Sequence, residues 1–114
     1  MTAWRLTAAA RIDLRAILRD SRQRFGPDQA LRYAELFHRA AGLAAENPQR
    51  AGSRDCRHVG IGVRSMHFGV AAGRRGAASH VILYRTTARP TISVEILRVL
   101  HERMDRVRHL GEEK

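Results

Sequence analysis

The dipeptide Gly26-Pro27 constrains the fold more than any other feature, because it separates two stretches that each have helical periodicity. Glycine commonly ends a helix, and proline is tolerated in the first turn of a helix but not in its interior. We therefore expect one helix to end at Gly26 and a second to begin at Pro27. A connection this short brings the two helices together as an antiparallel hairpin.

Each predicted helix has one apolar face. Thr7 is a suitable N-cap for the first helix, and Asn47-Pro48 ends the second. The apolar faces follow the spacing of a helix, with Ala10, Leu14, Ile17, Leu18, Ser21 and Phe25 on the first and Ala30, Tyr33, Ala34, Phe37, Ala40, Ala41 and Ala44 on the second. The many alanines on the second face permit close packing.

The rest of the chain favours strands. Residues 4–6 are a short first strand, residues 49–62 are polar loop, and three strands are predicted at 63–70, 80–86 and 91–100. A glycine- and arginine-rich hairpin loop at 71–79 joins the first two of these three, and a short helix can follow Met104. The predicted fold class is α+β: one domain over residues 1–114, with a helical hairpin on one face of a three-stranded antiparallel sheet and the other face partly free.

Length and composition exclude several classes of protein. A chain of 114 residues suits one compact core without a large enclosed pocket, and no cofactor is implied. It has no apolar run of the ~18 residues that a membrane span needs and no signal-peptide core, so we expect a cytoplasmic protein with no membrane partner. The single cysteine, Cys56, cannot form an internal disulfide, and no Cys/His spacing predicts a metal site.

The charge is strongly positive and consists almost entirely of arginine. The formal net charge is +10, and Lys114 is the only lysine. Arginine binds carboxylates and phosphates through two parallel hydrogen bonds, so this excess predicts an acidic partner, either a protein or a nucleic acid. The alternative is that a GC-rich genome supplies many arginines that are simply solvated.

Several stretches resemble one family of bacterial proteins. They are LTAAARIDLRAIL, FGPDQALRYAELF, LAAENP, HVILYR and EILRVLHERMD, and together they span roughly residues 4–110. With the order of elements, they resemble the RelE/ParE superfamily of toxins, and the ParE branch in particular. Two departures are the long segment VAAGRRGAA and Ser21, which lies where an aromatic residue often packs.

The resemblance implies the toxin of a type II toxin–antitoxin system. ParE-like toxins inhibit DNA gyrase by trapping it on cleaved DNA, and they are not enzymes. A ParD-like antitoxin neutralises them. Its N-terminal part binds operator DNA and its acidic C-terminal part wraps the toxin, so the toxin meets operator DNA only through the antitoxin. The alternative that the resemblance leaves open is a RelE-like endoribonuclease that cuts messenger RNA on the ribosome.

Four arginines form a candidate antitoxin-binding ridge on the first helix. Arg11, Arg15 and Arg19 recur every four residues, and Arg22 is on the same side, opposite the apolar face. Like charges at this spacing weaken a helix slightly, and carboxylates of a partner would relieve that repulsion. The alternative is a solvated face.

The end of the last predicted strand is the candidate target-binding surface. There an apolar strand is followed by cations and a methionine: Arg98, His101, Arg103, Met104, Arg106 and Arg108. Methionine offers a flexible apolar contact. The alternative is that Met104 and Leu110 fold back over the core.

The ribonuclease alternative has its own candidate residues. His101 would act as general acid or base, and Arg64 and Arg85 would bind the phosphate. Mid-strand arginines such as Arg64, Arg85 and Arg98 can instead pair internally with acids such as Glu95 or Asp13. A plain nucleic-acid module is a third hypothesis, which the aromatic content of 5% disfavours.

Overall fold

The computed structural model describes residues 3–74, 76 and 78–104. In these residues the elements follow one another as β1 (Trp4–Leu6), α1 (Ala8–Phe25), α2 (Pro27–Glu46), β2 (Ser53–Asp55), β3 (Val63–His67), α3 (Gly69–Ala72), β4 (His80–Thr86) and β5 (Val94–His101). The strands form one sheet in the order β1-β5-β4-β3-β2. β1 runs parallel to β5, and every other neighbouring pair is antiparallel.

The predicted helical hairpin is present, and its ends are where the sequence places them. The Thr7 hydroxyl accepts the Ala10 N–H at 3.1 Å and so caps α1. Gly26 has φ of 93°, a conformation that glycine adopts without steric cost, and its N–H donates to the Arg22 carbonyl at 2.9 Å. This glycine ends α1 and lets Pro27 begin α2 at once.

The sheet is larger than the predicted one, with five strands in a mixed arrangement rather than three antiparallel strands. β2 lies in the segment predicted to be loop, and β1 joins the sheet through β5. β2 was missed because three polar residues, Ser-Arg-Asp, carry no alternation of apolar side chains. The partner of β1 is about 90 residues away along the chain, which no local pattern reveals.

Two other strand boundaries also differ from the prediction. β3 ends at His67, and the chain then forms α3, which ends at Gly73 with φ of 77°; residues 71–72 are therefore helix rather than hairpin loop. β5 begins at Val94 rather than at residue 91. The helix predicted after Met104 lies outside the described residues.

The two long helices cover one face of the sheet and form the main core. α2 contributes Phe37 and four buried alanines, and the sheet contributes side chains such as Ile82, Tyr84 and Ile96. Trp4 meets Phe37 edge to face with ring centroids 5.4 Å apart. Phe25, which was predicted on the apolar face of α1, is 69% exposed at the end of that helix.

The opposite face of the sheet carries a second, smaller apolar cluster. The turn that contains Cys56 and Val59 packs there on side chains of the sheet: Val63, Val81, Leu83, Leu97 and Leu100. Leu97 lies in a bulge, between the residues of β5 that pair with Leu83 and Tyr84, and the bulge puts Leu97 and Leu100 on the same face although they are three residues apart. The face predicted to be partly free is thus partly covered by the chain itself.

Candidate functional site

The four arginines of the predicted ridge are exposed on α1. Arg11, Arg15, Arg19 and Arg22 all lie at the surface, and no acid in the described part of the chain forms an ion pair with any of them. Arg24, by contrast, lies one turn after Asp20 and binds it at 3.1 Å. The ridge (Arg11, Arg15, Arg19 and Arg22) is therefore a row of positive charge that the described residues leave uncompensated.

An apolar groove runs beside the C-terminal half of this ridge. It has a volume of about 510 Å³, and its apolar walls come from both helices of the hairpin: Leu18, Pro27, Ala30, Leu31 and Ala34. Arg19 and Arg22 form part of its lining, and Leu31 is 64% exposed. The hairpin groove thus combines an apolar surface with guanidinium groups at its side.

A cleft on the other side of α1 contains a tyrosine and two histidines. The register of the β4–β5 hairpin places His80 opposite His101, and their rings meet edge to face with centroids 5.5 Å apart. The Tyr33 hydroxyl accepts the Ser79 N–H at 3.2 Å and lies 2.6 Å from His80 Nδ1. The cleft has a volume of about 340 Å³, and Ile17, Asp20 and Arg24 of α1 also line it.

The ionisation of this cluster follows from its burial. Burial, and secondly the neighbouring His101, lower the pKa of His80 to about 4, and burial raises the pKa of Tyr33. Both side chains are therefore neutral at pH 7. Tyr33 and His80 Nδ1 share one hydrogen bond, and the tautomer of the neutral imidazole sets which of them donates.

Arg98 lies mostly inside the structure. Its side chain is 13% exposed, and its guanidinium binds the Asp13 carboxylate through Nε at 2.7 Å and Nη2 at 2.9 Å. This is the internal pairing that the sequence offered as an alternative for mid-strand arginines. Arg98 therefore fastens β5 to α1 and contributes little to the surface.

The rest of the predicted target surface begins where β5 ends. The His101 ring accepts the Arg103 N–H through Nδ1 at 3.2 Å, and Met104 is 44% exposed. His101, Arg103 and Met104 thus follow one another next to the cleft. Arg106 and Arg108 lie outside the described residues.

The three residues of the ribonuclease alternative do not come together. Arg64 donates to the Pro48 carbonyl at 3.0 Å and to Ser53 Oγ at 2.7 Å, and Arg85 forms an ion pair with Glu95 at 3.1 Å. His101 pairs with His80 at the start of β4, whereas Arg85 lies five residues further along that strand, roughly 17 Å away. His101 therefore has neither arginine beside it to bind a shared phosphate.

The contact between Tyr33 and His80 is not evident in the sequence, where Tyr33 falls on the apolar face of the second helix and His80 in a predicted strand. The signal for His80 was available, because a histidine at the start of one strand and another at the end of the next can lie opposite each other in an antiparallel hairpin. No group of three or more His, Cys, Asp or Glu side chains among the described residues is arranged to hold a metal ion. None of the described helices is long and apolar enough to span a membrane.

Comparison with known proteins agrees with this architecture. Residues 4–106 match the family model described as the ParE toxin of the type II toxin–antitoxin system parDE. The chain is 34% identical over 111 residues to Toxin ParE1 of Caulobacter vibrioides, covering 97% of this chain and 100% of that protein. It is 37% identical over 105 residues to Toxin ParE1 of Mycobacterium tuberculosis, covering 92% of this chain and 94% of that protein.

A solved structure has the same fold. A chain of the chromosomal ParDE toxin–antitoxin system from P. aeruginosa aligns with a TM-score of 0.65 and 19% identity, covering 89% of this chain and 96% of that chain. At this identity the likeness concerns the fold alone. From the family match and the curated relatives it follows that this chain belongs to the ParE toxin family of type II toxin–antitoxin systems.

Proposed function

We propose that this toxin inhibits DNA gyrase by stabilising the complex of gyrase with cleaved DNA, and that a ParD-like acidic antitoxin neutralises it. The observation that favours this activity over RNA cleavage is the separation of His101 from Arg85 along β4. Cleavage through the ribose 2′-OH needs an acid or base and cations around one phosphate, and the described residues do not supply that arrangement.

The antitoxin surface is the ridge together with the hairpin groove. An acidic segment that is disordered alone must bury apolar side chains to offset the entropy lost when it folds on the toxin. The groove offers apolar walls from Leu18, Ala30 and Leu31, and Arg19 and Arg22 offer partners for carboxylates. Charge complementarity of this kind accelerates association and selects the partner.

The target surface is the segment from His101 to Met104, with Arg106 and Arg108 beyond it. α1 separates this surface from the antitoxin surface, since Ile17 and Asp20 line the cleft of His101 whereas Leu18 and Arg19 line the groove. The diameter of a helix with its side chains is about 10 Å. An antitoxin seated in the groove therefore lies close enough to the target surface to obstruct a large enzyme.

The test is a supercoiling assay with DNA gyrase, ATP and relaxed plasmid. The proposal predicts loss of supercoiling and accumulation of linear DNA covalently linked to gyrase, both reversed by the antitoxin. A toxin that arrests growth but produces neither effect would overturn the gyrase proposal. Messenger RNA cleavage on the ribosome that is lost in His101→Asn would establish the alternative.

A further inference from the structure

The positive charge of the chain is concentrated in its middle. Residues 47–94 contain eight arginines and one acid, Asp55, and so carry seven of the ten excess positive charges. Residues 95–114, by contrast, contain five cationic and five acidic side chains. The largest excess of positive charge therefore lies in β2, β3, α3, β4 and the loops that join them.

Few of these arginines are neutralised in the fold. Asp55 is bound by Arg57 at 3.3 Å, and Glu95 is bound by Arg85. Arg54 and Arg74 are exposed, and neither forms an ion pair within the described part of the chain. Their charges are available to an external anion.

Arg54 and Arg74 lie on a cleft formed between β2 and α3. The cleft has a volume of about 450 Å³, and its other lining residues are Gly52, Ser53, His67, Gly69, Val70 and Gly73. Gly52 has φ of 96°, and a Cβ there would come within 3.0 Å of Val70 Cγ2. The glycine lets the chain entering β2 pass close to α3, which brings the two arginines to one concavity.

A third guanidinium, that of Arg64, lies behind a residue that lines this cleft and adds to its positive potential. Arg64 Nη2 donates to Ser53 Oγ at 2.7 Å, and Ser53 lines the cleft. Arg64 donates to the neutral oxygens of Ser53 and Pro48, and these contacts solvate its charge without cancelling it. Charges in a partly water-excluded site act over longer distances than they do in bulk water.

We infer that the β2–α3 cleft binds a phosphate of a nucleic-acid backbone. Its chemistry differs from that of the hairpin groove, because it contains three glycines and a serine and has Val70 as its one aliphatic side chain apart from those of the arginines. An acidic peptide that folds on binding needs apolar surface, which this cleft hardly offers. A phosphodiester needs guanidinium groups, which Arg54 and Arg74 offer. The Ser53 hydroxyl already donates to the Arg50 carbonyl and the His67 ring is bonded to the Glu102 carboxylate, so the two arginines make the phosphate contact.

This inference is independent of gyrase as the target. It predicts that the toxin itself contacts nucleic acid through its backbone, without preference for sequence, because phosphate contacts carry no direct sequence information. If gyrase is the target, the same contact would let the toxin hold enzyme and DNA together. Failure of the gyrase proposal would leave the DNA-binding result unchanged.

The test is fluorescence anisotropy with a labelled DNA duplex of about 20 base pairs, measured with full-length toxin between about 50 and 200 mM NaCl. The slope of log affinity against log salt is negative, and each lost phosphate contact reduces its magnitude by about 0.9. The double variant Arg54→Gln/Arg74→Gln should therefore lose about two units of slope and at least about tenfold in affinity at low salt. The control Arg32→Gln/Arg39→Gln removes the same charge from exposed positions on α2 and should change affinity less than about threefold.

Two outcomes would overturn the inference. One is equal weakening by the two double variants, since that would show an effect of net charge alone. The other is displacement of the duplex by polyglutamate at equal charge concentration as effectively as by unlabelled duplex, since that would make the cleft a carboxylate site. Thermal unfolding of each variant shows that it remains folded, and a second duplex of unrelated sequence should give the same slopes.

Discussion

Asp13 and Arg98 join the first long helix to the last strand through a two-point ion pair. Asp13 Oδ2 accepts from Arg98 Nε at 2.7 Å, and Asp13 Oδ1 accepts from Arg98 Nη2 at 2.9 Å. Asp13 Oδ2 also accepts the Val99 N–H at 3.0 Å, on the part of β5 beyond the residues that pair with β1. One carboxylate therefore neutralises a buried cation and satisfies a backbone donor at the edge of the strand.

Replacing Asp13 by alanine should destabilise the protein substantially. The change removes the two-point ion pair with Arg98 and leaves the Val99 N–H without its acceptor, and losing one partner of a buried pair costs about 3 kcal/mol or more. We expect a lower urea midpoint with an unchanged slope of unfolding free energy against urea.

The matched control is Asp20→Ala, which removes an aspartate from the same helix. Its ion pair with Arg24 is 59% to 69% exposed, so its loss should cost less than about 0.5 kcal/mol. Similar losses for the two variants would mean that the Asp13–Arg98 pair contributes no more than a surface ion pair.

The helical hairpin could be predicted because its signals are local. Thr7, Gly26-Pro27 and the alanine-rich faces act within a few residues, and the structure confirms both helices. The pairing of Arg85 with Glu95 and of Arg98 with Asp13 was one of two alternatives that the sequence left open. Glu95 and Asp13 were candidate partners because the chain has few acids to pair with its arginines.

The remaining features depend on contacts between distant residues. Parallel pairing of Trp4 with Val94 and the bulge at Leu97 are set by how the sheet packs on the helices. The β2–α3 cleft depends on β2, which has no periodic signal, and on a chain reversal after His67. The sequence does not indicate which exposed arginines lie together in the fold, because no local pattern distinguishes Arg54 and Arg74 from the other solvated arginines.

Acid should weaken folding through His80. The folded protein holds the pKa of His80 at about 4, whereas the ordinary pKa of histidine is 6.5. The unfolded chain therefore binds more protons between these pH values, so stability supplied by neutral His80 is present above about pH 6.5 and is lost as the pH falls towards 4. The slope from this one group is at most about 1.4 kcal/mol per pH unit.

Urea unfolding of the wild type and His80→Asn across this pH range tests the assignment. His80→Asn should be less stable near neutral pH, because it loses the contacts with Tyr33 and His101, and the difference should shrink in acid. Tyr84→Phe is the control, since it loses a buried hydrogen bond to the Pro48 carbonyl and leaves every histidine in place. Parallel pH profiles for wild type and His80→Asn would exclude His80 as the titrating group.

Charge reversal beside the hairpin groove should weaken antitoxin binding. In Arg19→Glu/Arg22→Glu the groove keeps its apolar walls but repels acidic residues, so we expect at least about a tenfold loss of affinity, larger at low salt. Arg32→Glu/Arg39→Glu changes the net charge equally at exposed positions on α2 and should have a smaller effect. Titration calorimetry with purified antitoxin measures both, and equal losses would argue against the groove as the docking site.

Changes at the end of β5 should separate toxicity from antitoxin binding. Met104 is 44% exposed and Arg103 is exposed, so Arg103→Glu/Met104→Ala removes a cation and an apolar contact without opening the core. We expect the variant to unfold at the wild-type temperature and bind antitoxin normally, while linear gyrase-linked DNA decreases by at least about tenfold.

The control for this last variant is Arg89→Glu, which reverses an exposed charge in the turn between β4 and β5, at the opposite end of these strands from His101. It should give as much linear gyrase-linked DNA as the wild type gives, because that turn is remote from the proposed target surface. Full activity of Arg103→Glu/Met104→Ala would place the target contact elsewhere. A fall in melting temperature with a matching loss of antitoxin binding would instead show that Met104 supports the fold, since only a damaged fold weakens both surfaces together.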